Sequence, residues 1–183
     1  MTPRTRDRSL GDGVYFNPHD YVGFGRRLLI FIIDVPLLVM IQAVMAMVWA
    51  VAIGEFTPTF SLLALLTTWL YVVPLKRSRF RTLGYRLLGC KLVTFQGTRP
   101  SLIALTFRSL LWIVGPLNFL LDIIWCSLDD DRQTMRDRFS GMCLVRNNAE
   151  PIGTGEVHLA YLNTLGYNFA YPRVVHPKPL AAS

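Results

Sequence analysis

Residues 28–53 read LLIFIIDVPLLVMIQAVMAMVWAVAI, 26 residues broken only by Asp34, Pro36 and Gln42. As a helix rising 1.5 Å per residue this run is about 39 Å long, enough to cross a ~30 Å hydrocarbon core with tilt to spare. That single feature constrains the chain more than any other, and composition agrees with it. Of 183 residues 52% are hydrophobic and 17% charged, and the mean hydropathy is +0.36, outside the soluble norm. The expected fold class is an α-helical integral membrane protein. The polar, basic stretch before the run has no short apolar core followed by small residues, so the run reads as an anchor that is kept.

GEFTPT, residues 54–59, has one acid and no basic residue, and FSLLALLTTWLYVVPL, residues 60–75, supplies a second span once Thr57 to Thr59 are added. Five basic residues precede the first span, and Lys76, Arg77, Arg79, Arg81, Arg86, Lys91 and Arg99 follow the second. This asymmetry places both ends of the hairpin in the cytoplasm. A basic surface can mark nucleic acid, but beside a hydrophobic span it more often records topology and attraction to anionic lipid. Lys76, Arg77, Arg79, Arg81 and Arg86 are accordingly read as lipid or partner contacts, and no nucleic-acid partner is expected.

CKLVTF, residues 90–95, and GMCLVRN, residues 141–147, are short β-like runs that can pair into a small cytoplasmic sheet resting on the helices or the membrane surface. Between them lies a third apolar segment, residues 101–128, broken by Gly115-Pro116 and carrying Arg108 and Asp122. As one span it would carry Arg132, Arg136, Arg138 and Arg146 outside, so an interfacial or re-entrant segment and a cytoplasmic C-terminus are favoured. Residues 1–20 read as a polar tail, 21–147 as the membrane domain and 148–183 as loop or mobile tail.

Asp34 lies about 10 Å beyond Arg27 along the helix and on nearly the same face, so backbone placement alone does not pair them. Arg27 can snorkel to lipid phosphates. Leaving Asp34 in hydrocarbon costs roughly 2.5–3.5 kcal/mol, so it needs protein or water around it. Pro36 frees a backbone carbonyl one turn earlier, near Ile32, which makes a proton or cation site conceivable. The plainer reading is a packing acid bonded to Arg108, Gln42, Thr67 or Thr68. Asp122 is a second candidate acid, or else the wet face of an interfacial helix with Arg108. Asp129, Asp130 and Asp131 lack the spaced ligand order of a calcium loop. His19, His158 and His176 lie in different polar segments, and no phosphate-binding glycine loop is present. No catalytic residue, metal or cofactor is expected, and Cys90, Cys126 and Cys143 suggest no disulfide framework.

Three segments in order resemble the RDD family of small, mostly bacterial membrane proteins: Arg27-Leu28 with Asp34, RTLGYRLLGCKLV (residues 81–93) with GTRPS after it, and RQTMRDRFSGMCLV (residues 132–145). The resemblance covers about residues 20–147 and makes Arg27, Asp34 and Asp137 the named positions. Arg136 stands where the family usually has histidine, which weakens a proton role for that pair. The resemblance implies a multi-pass protein of the plasma (bacterial inner) membrane, with ion or ligand transport proposed and cation/proton exchange for some members. Asp34, Asp122 and Asp137 are the candidate ion or proton sites. Two or three helices enclose no pathway, so transport would need a homo-oligomer or membrane complex. The alternative is a non-catalytic scaffold or accessory subunit that docks a cytoplasmic partner or anionic lipid.

Overall fold

The computed structural model describes residues 10–111, 122, 126, 132–164 and 167–175. Helix α1, Phe24–Ile53, runs 30 residues straight through Pro36 and stops at Gly54, whose φ of 85° only glycine adopts cheaply. Helix α2, Pro58–Val72, starts with proline in its first turn, where a missing N–H costs nothing. Pro74 interrupts it at Val73, and α3, Pro74–Arg77, continues the path. Phe24–Ile53 and the 20-residue stretch Pro58–Arg77 are both long and apolar enough to cross a membrane.

The burial pattern fits a bilayer as solvent. Along α1 the described core takes only Ile30 and Asp34, while Val39, Met47 and Val51 are exposed, as are Leu62 and Leu65 on α2. Apolar surface this extensive needs a partner of the same kind. Between the two helices, Gln42 Nε2 donates to Ala64 O at 3.1 Å and Thr68 Oγ1 at 3.0 Å. This amide thus serves the hairpin and not Asp34.

At one end of the hairpin the chain forms a compact cap. Helix α4, Leu83–Leu87, leads into β2, Cys90–Thr94; α5 is Leu102–Leu110, α6 is Met135–Phe139 and β3 is Met142–Arg146. Strands β2 and β3 pair antiparallel from Cys90↔Arg146 to Thr94↔Met142, the pairing expected from the two β-like runs. The chain entering α1 covers the other edge of β3, with Val22 N donating to Leu144 O at 3.0 Å and Arg146 N to Asp20 O at 2.9 Å. Val22, Ile30, Val73, Tyr85, Cys90, Leu92, Leu105, Met142 and Leu144 form one buried cluster, so the ribbon does rest on the helices. Of the third apolar segment, α5 is helical; most of the remainder, and Asp129 to Asp131, lie outside the described residues.

Two expectations are corrected. Residues 148–183 are not simply loop: β4, Gly153–Thr164, and β5, Tyr167–Val174, form a long hairpin. Residues 1–20 are not simply a tail: β1, Asp12–Tyr15, pairs with β4 to give the sheet order β1-β4-β5, and Phe16 is buried. Val14 N donates to Phe95 O at 2.7 Å, tying this sheet to the end of β2. Arg138 Nη1 donates to Tyr171 Oη at 2.8 Å, fastening β5 to α6.

Candidate functional site

Arg27 sits in the first turn of α1, pointed into the cap and not towards lipid phosphate. Its Nη1 lies 2.6 Å from Asp137 Oδ2, its Nη2 donates to Arg132 O at 2.9 Å and its Nε to Val22 O at 3.0 Å. Arg132 adopts φ 48°, a left-handed conformation uncommon for a residue with a side chain, and its carbonyl is the one that receives Arg27. The snorkelling role expected for Arg27 is therefore replaced by a planar fork whose three nitrogens each have a partner in the cap.

Asp137 is fully buried and collects a second guanidinium, Arg108 Nε, at 2.7 Å on Oδ1. It also closes a reciprocal cap on α6: its N–H donates to Thr134 Oγ1 at 3.2 Å, and its carboxylate accepts from Thr134 N at 3.3 Å. Burial pushes its carboxyl upward, but Arg108 and then Arg27 outweigh that and hold it well below the usual carboxylate range. Asp137 is therefore a fixed anion at neutral pH and a poor proton carrier.

Asp122 is buried beside Arg136, whose Nε donates to Asp122 Oδ2 at 2.6 Å; Arg136 Nη2 contacts the same oxygen. Arg108 and Asp122, which one reading of the sequence puts on a wet helix face, are both buried and have separate partners, Arg108 bonding Asp137 and Arg136 bonding Asp122. The arginine standing at the usual histidine position supplies a permanent charge, not a titratable one.

Asp34 is different in kind. Its Oδ1 accepts from Tyr71 Oη at 3.1 Å and Gly84 N at 2.7 Å, and its Oδ2 from Thr82 Oγ1 at 2.6 Å. Arg108, Gln42, Thr67 and Thr68 are not its partners: Arg108 bonds Asp137, and Thr67 and Thr68 bond backbone carbonyls one turn back. Each Asp34 partner is a neutral donor, and among the described residues no cation pairs with it. Hydrogen bonds to a charged acceptor are worth roughly 1.5–3 kcal/mol each, so three of them offset the burial of one carboxylate. Gly84 is needed for the approach. A Cβ there would lie 2.8 Å from Ile30 O and 3.0 Å from Asp34 Oδ1.

Asp34, Asp122, Arg27, Arg108 and Arg136 share the wall of one cavity of about 550 Å³ between α1, α2 and α5, with Leu38 and Leu65 also in its wall. Lys76 enters the same cavity with its ammonium 5.3 Å from the centre of the Tyr85 ring. The basic set expected to form one outward face therefore divides. Arg77, Arg79 and Arg86 are exposed, Lys76 lines the cavity, and Arg81 is tied down by Nη1 to Cys90 O at 3.0 Å and Nη2 to Asn147 Oδ1 at 2.7 Å. Tyr71, Thr82 and Gly84 escaped a site reading from sequence, although Thr82 and Gly84 belong to the RTLGYRLLGCKLV segment. Among the described residues no group of three His, Cys, Asp or Glu is arranged to hold a metal.

Two membrane-length helices with a buried ionic cluster where they meet the cap define a membrane protein. The chain matches the model of the RDD family over residues 21–141, more than half its length, and it belongs to that family. No curated protein and no solved structure matches it.

Proposed function

We propose that this RDD protein is a multi-pass protein of the plasma membrane that exchanges a cation for a proton, as a homo-oligomer or within a membrane complex, with Asp34 as the ionisable site. One observation carries the reading. Of the three acids buried among the described residues, Asp122 and Asp137 are paired with arginines, whereas Asp34 lines the cavity with only neutral hydrogen-bond donors on its carboxylate. Two of those donors are hydroxyls, which rotate and can accept as well as donate. Tyr71 and Thr82 can follow a change in Asp34 from carboxylate to carboxylic acid, or to carboxylate with a bound cation, without leaving their places. An intramembrane acid of this kind is a functional site by default. The basic loop after α2 supports a cytoplasmic cap, with the N-terminus and C-terminus on that side. Two or three helices enclose no conduit, so copies assembled around α1 would complete the pathway. The test is proton-coupled Na⁺ or K⁺ movement in vesicles holding only the purified protein.

A second reading is favoured by the exposure of Arg77, Arg79 and Arg86. On that reading the protein is a scaffold or accessory subunit, neither enzyme nor transporter, whose cap recruits a soluble partner or anionic lipid. A partner recovered with the wild type and lost on neutralising these three arginines supports it, and a partner-free, flux-competent assembly opposes it.

A further inference from the structure

We infer that the cavity between α1, α2 and α5 holds one anionic phospholipid, its phosphate on Lys76 and an acyl chain along the apolar wall. Among the described residues the charges around the cavity leave one cation over. Arg27, Lys76, Arg108 and Arg136 face Asp34, Asp122 and Asp137; Arg27 and Arg108 share Asp137, and Arg136 takes Asp122. Asp34 is satisfied by neutral donors. Among the described residues no hydrogen bond or ion pair holds Lys76, and its ammonium lies over the Tyr85 ring, a contact that does not neutralise it. Each of the three arginines already meets a carboxylate, so the cation left for a ligand is the point charge of Lys76, suited to a phosphate oxygen.

The shape of the lining selects a lipid over a free anion. The cations Arg27, Lys76, Arg108 and Arg136 lie towards one end, with Asp34 further along α1, while the side chains of Val35, Leu38 and Leu65 offer a small ion no partners. From Arg27 to Leu38, as from Lys76 to Leu65, the path is about 16 Å of helix rise, close to half of a ~30 Å hydrocarbon core. The cavity thus has the depth of one leaflet, with its positive end where a headgroup lies. Its volume of about 550 Å³ accommodates a headgroup and one chain segment, and the remaining lipid can run along the exposed apolar flank of α1.

Trp69 in the wall provides the readout. A variant with Trp49, Trp112 and Trp125 changed to Phe is reconstituted with brominated phosphatidylglycerol or brominated phosphatidylcholine, and quenching of Trp69 is compared. The expected preference for the anionic lipid is about fivefold, the equivalent of the ~1 kcal/mol that one basic residue gains near anionic lipid. It should vanish in Lys76→Gln, persist in Lys76→Arg, and persist when Arg77, Arg79 and Arg86 are all changed to Gln. Equal quenching by the two lipids in the parent protein overturns the site without recourse to any further variant. Retention of the preference in Lys76→Gln, or its loss in the triple Gln variant, also overturns it. Inorganic phosphate that abolishes the preference assigns the site to a free anion and overturns the lipid. No flux is measured, so the outcome is independent of cation exchange.

Discussion

Arg27 and Asp137 stand 110 positions apart in the chain and meet at 2.6 Å, joining the first turn of a membrane helix to the N-terminal turn of α6. Arg108 closes on the other carboxylate oxygen, so one anion holds together three separate segments. Removing it while leaving both guanidiniums buried should cost about 3–5 kcal/mol, the usual result of breaking one side of a buried ionic pair. Thermal unfolding of Asp137→Asn in detergent tests this. Arg27→Lys should cost less, because one of its several contacts survives as a point charge. A melting point for Asp137→Asn equal to that of the wild type would show that the cluster does not fasten the cap.

The same carboxylate predicts an acid limit to stability. The folded-state pKa of Asp137 is depressed, so its contribution is fully present above the unfolded value of about 3.9 and is lost as pH falls below it. Each pH unit in that window should remove up to about 1.4 kcal/mol through this one proton. Melting curves from pH 7 to pH 3 should therefore fall more steeply for the wild type than for Asp137→Asn, which has already lost the group. Parallel curves would assign the acid loss to other carboxylates.

Gly84→Ala should loosen α4 from α1. The new methyl would lie 2.8 Å from Ile30 O and 3.0 Å from both Ile30 Cα and Asp34 Oδ1, and neither backbone can yield without moving a helix. Overpacking of this sort costs about 1–3 kcal/mol. Melting of the purified variant checks the energy, and accelerated amide exchange at Gly84 and its neighbours would locate the strain at Asp34.

Tyr171 carries the attachment of the β4–β5 hairpin to α6. Its hydroxyl accepts from Arg138, its ring lies 4.9 Å from that guanidinium and makes an edge contact with Phe139. Tyr171→Ala should free the hairpin and speed tryptic cleavage after Arg173 by an order of magnitude or more, roughly what loss of ~1.5–3 kcal/mol implies. Tyr171→Phe should fall between that variant and the wild type. Unchanged cleavage in both would mean that other contacts hold β5.

Local patterns explain which parts of the architecture are readable in advance. The spans announce themselves as long apolar runs, and CKLVTF and GMCLVRN are dense enough in β-forming residues to be recognised as partners. The β4–β5 hairpin hides because Gly153 and Gly155 weaken one strand and Pro172 interrupts the other; Pro172 is tolerated because β5 is the edge of its sheet. Within the site, Arg27 and Asp34 invite comparison because they share a helix face, yet their true partners come from distant segments. Spacing along a helix carries no record of Asp137 or Thr82. The T-x-x-D pattern of Thr134 and Asp137 is a visible cap signal, and it locates the start of α6. Gly84 is legible only as a glycine until the backbone of Ile30 is seen against it.

The central claim is that Asp34 is the acid that exchanges its proton, while Asp122 and Asp137 are held by arginines. Proton-driven Na⁺ uptake should be measured in vesicles containing wild type, Asp34→Asn or Asp34→Glu at matched protein density, with monodisperse elution and equal melting points establishing that each is folded. The account predicts loss of at least about tenfold in Asp34→Asn, equivalent to ~1.4 kcal/mol or more of the barrier, with partial activity kept by Asp34→Glu. Wild-type exchange that survives undiminished in a folded Asp34→Asn protein would contradict it, and would leave Asp34 as the hydrogen-bonded post that joins α1 to α4.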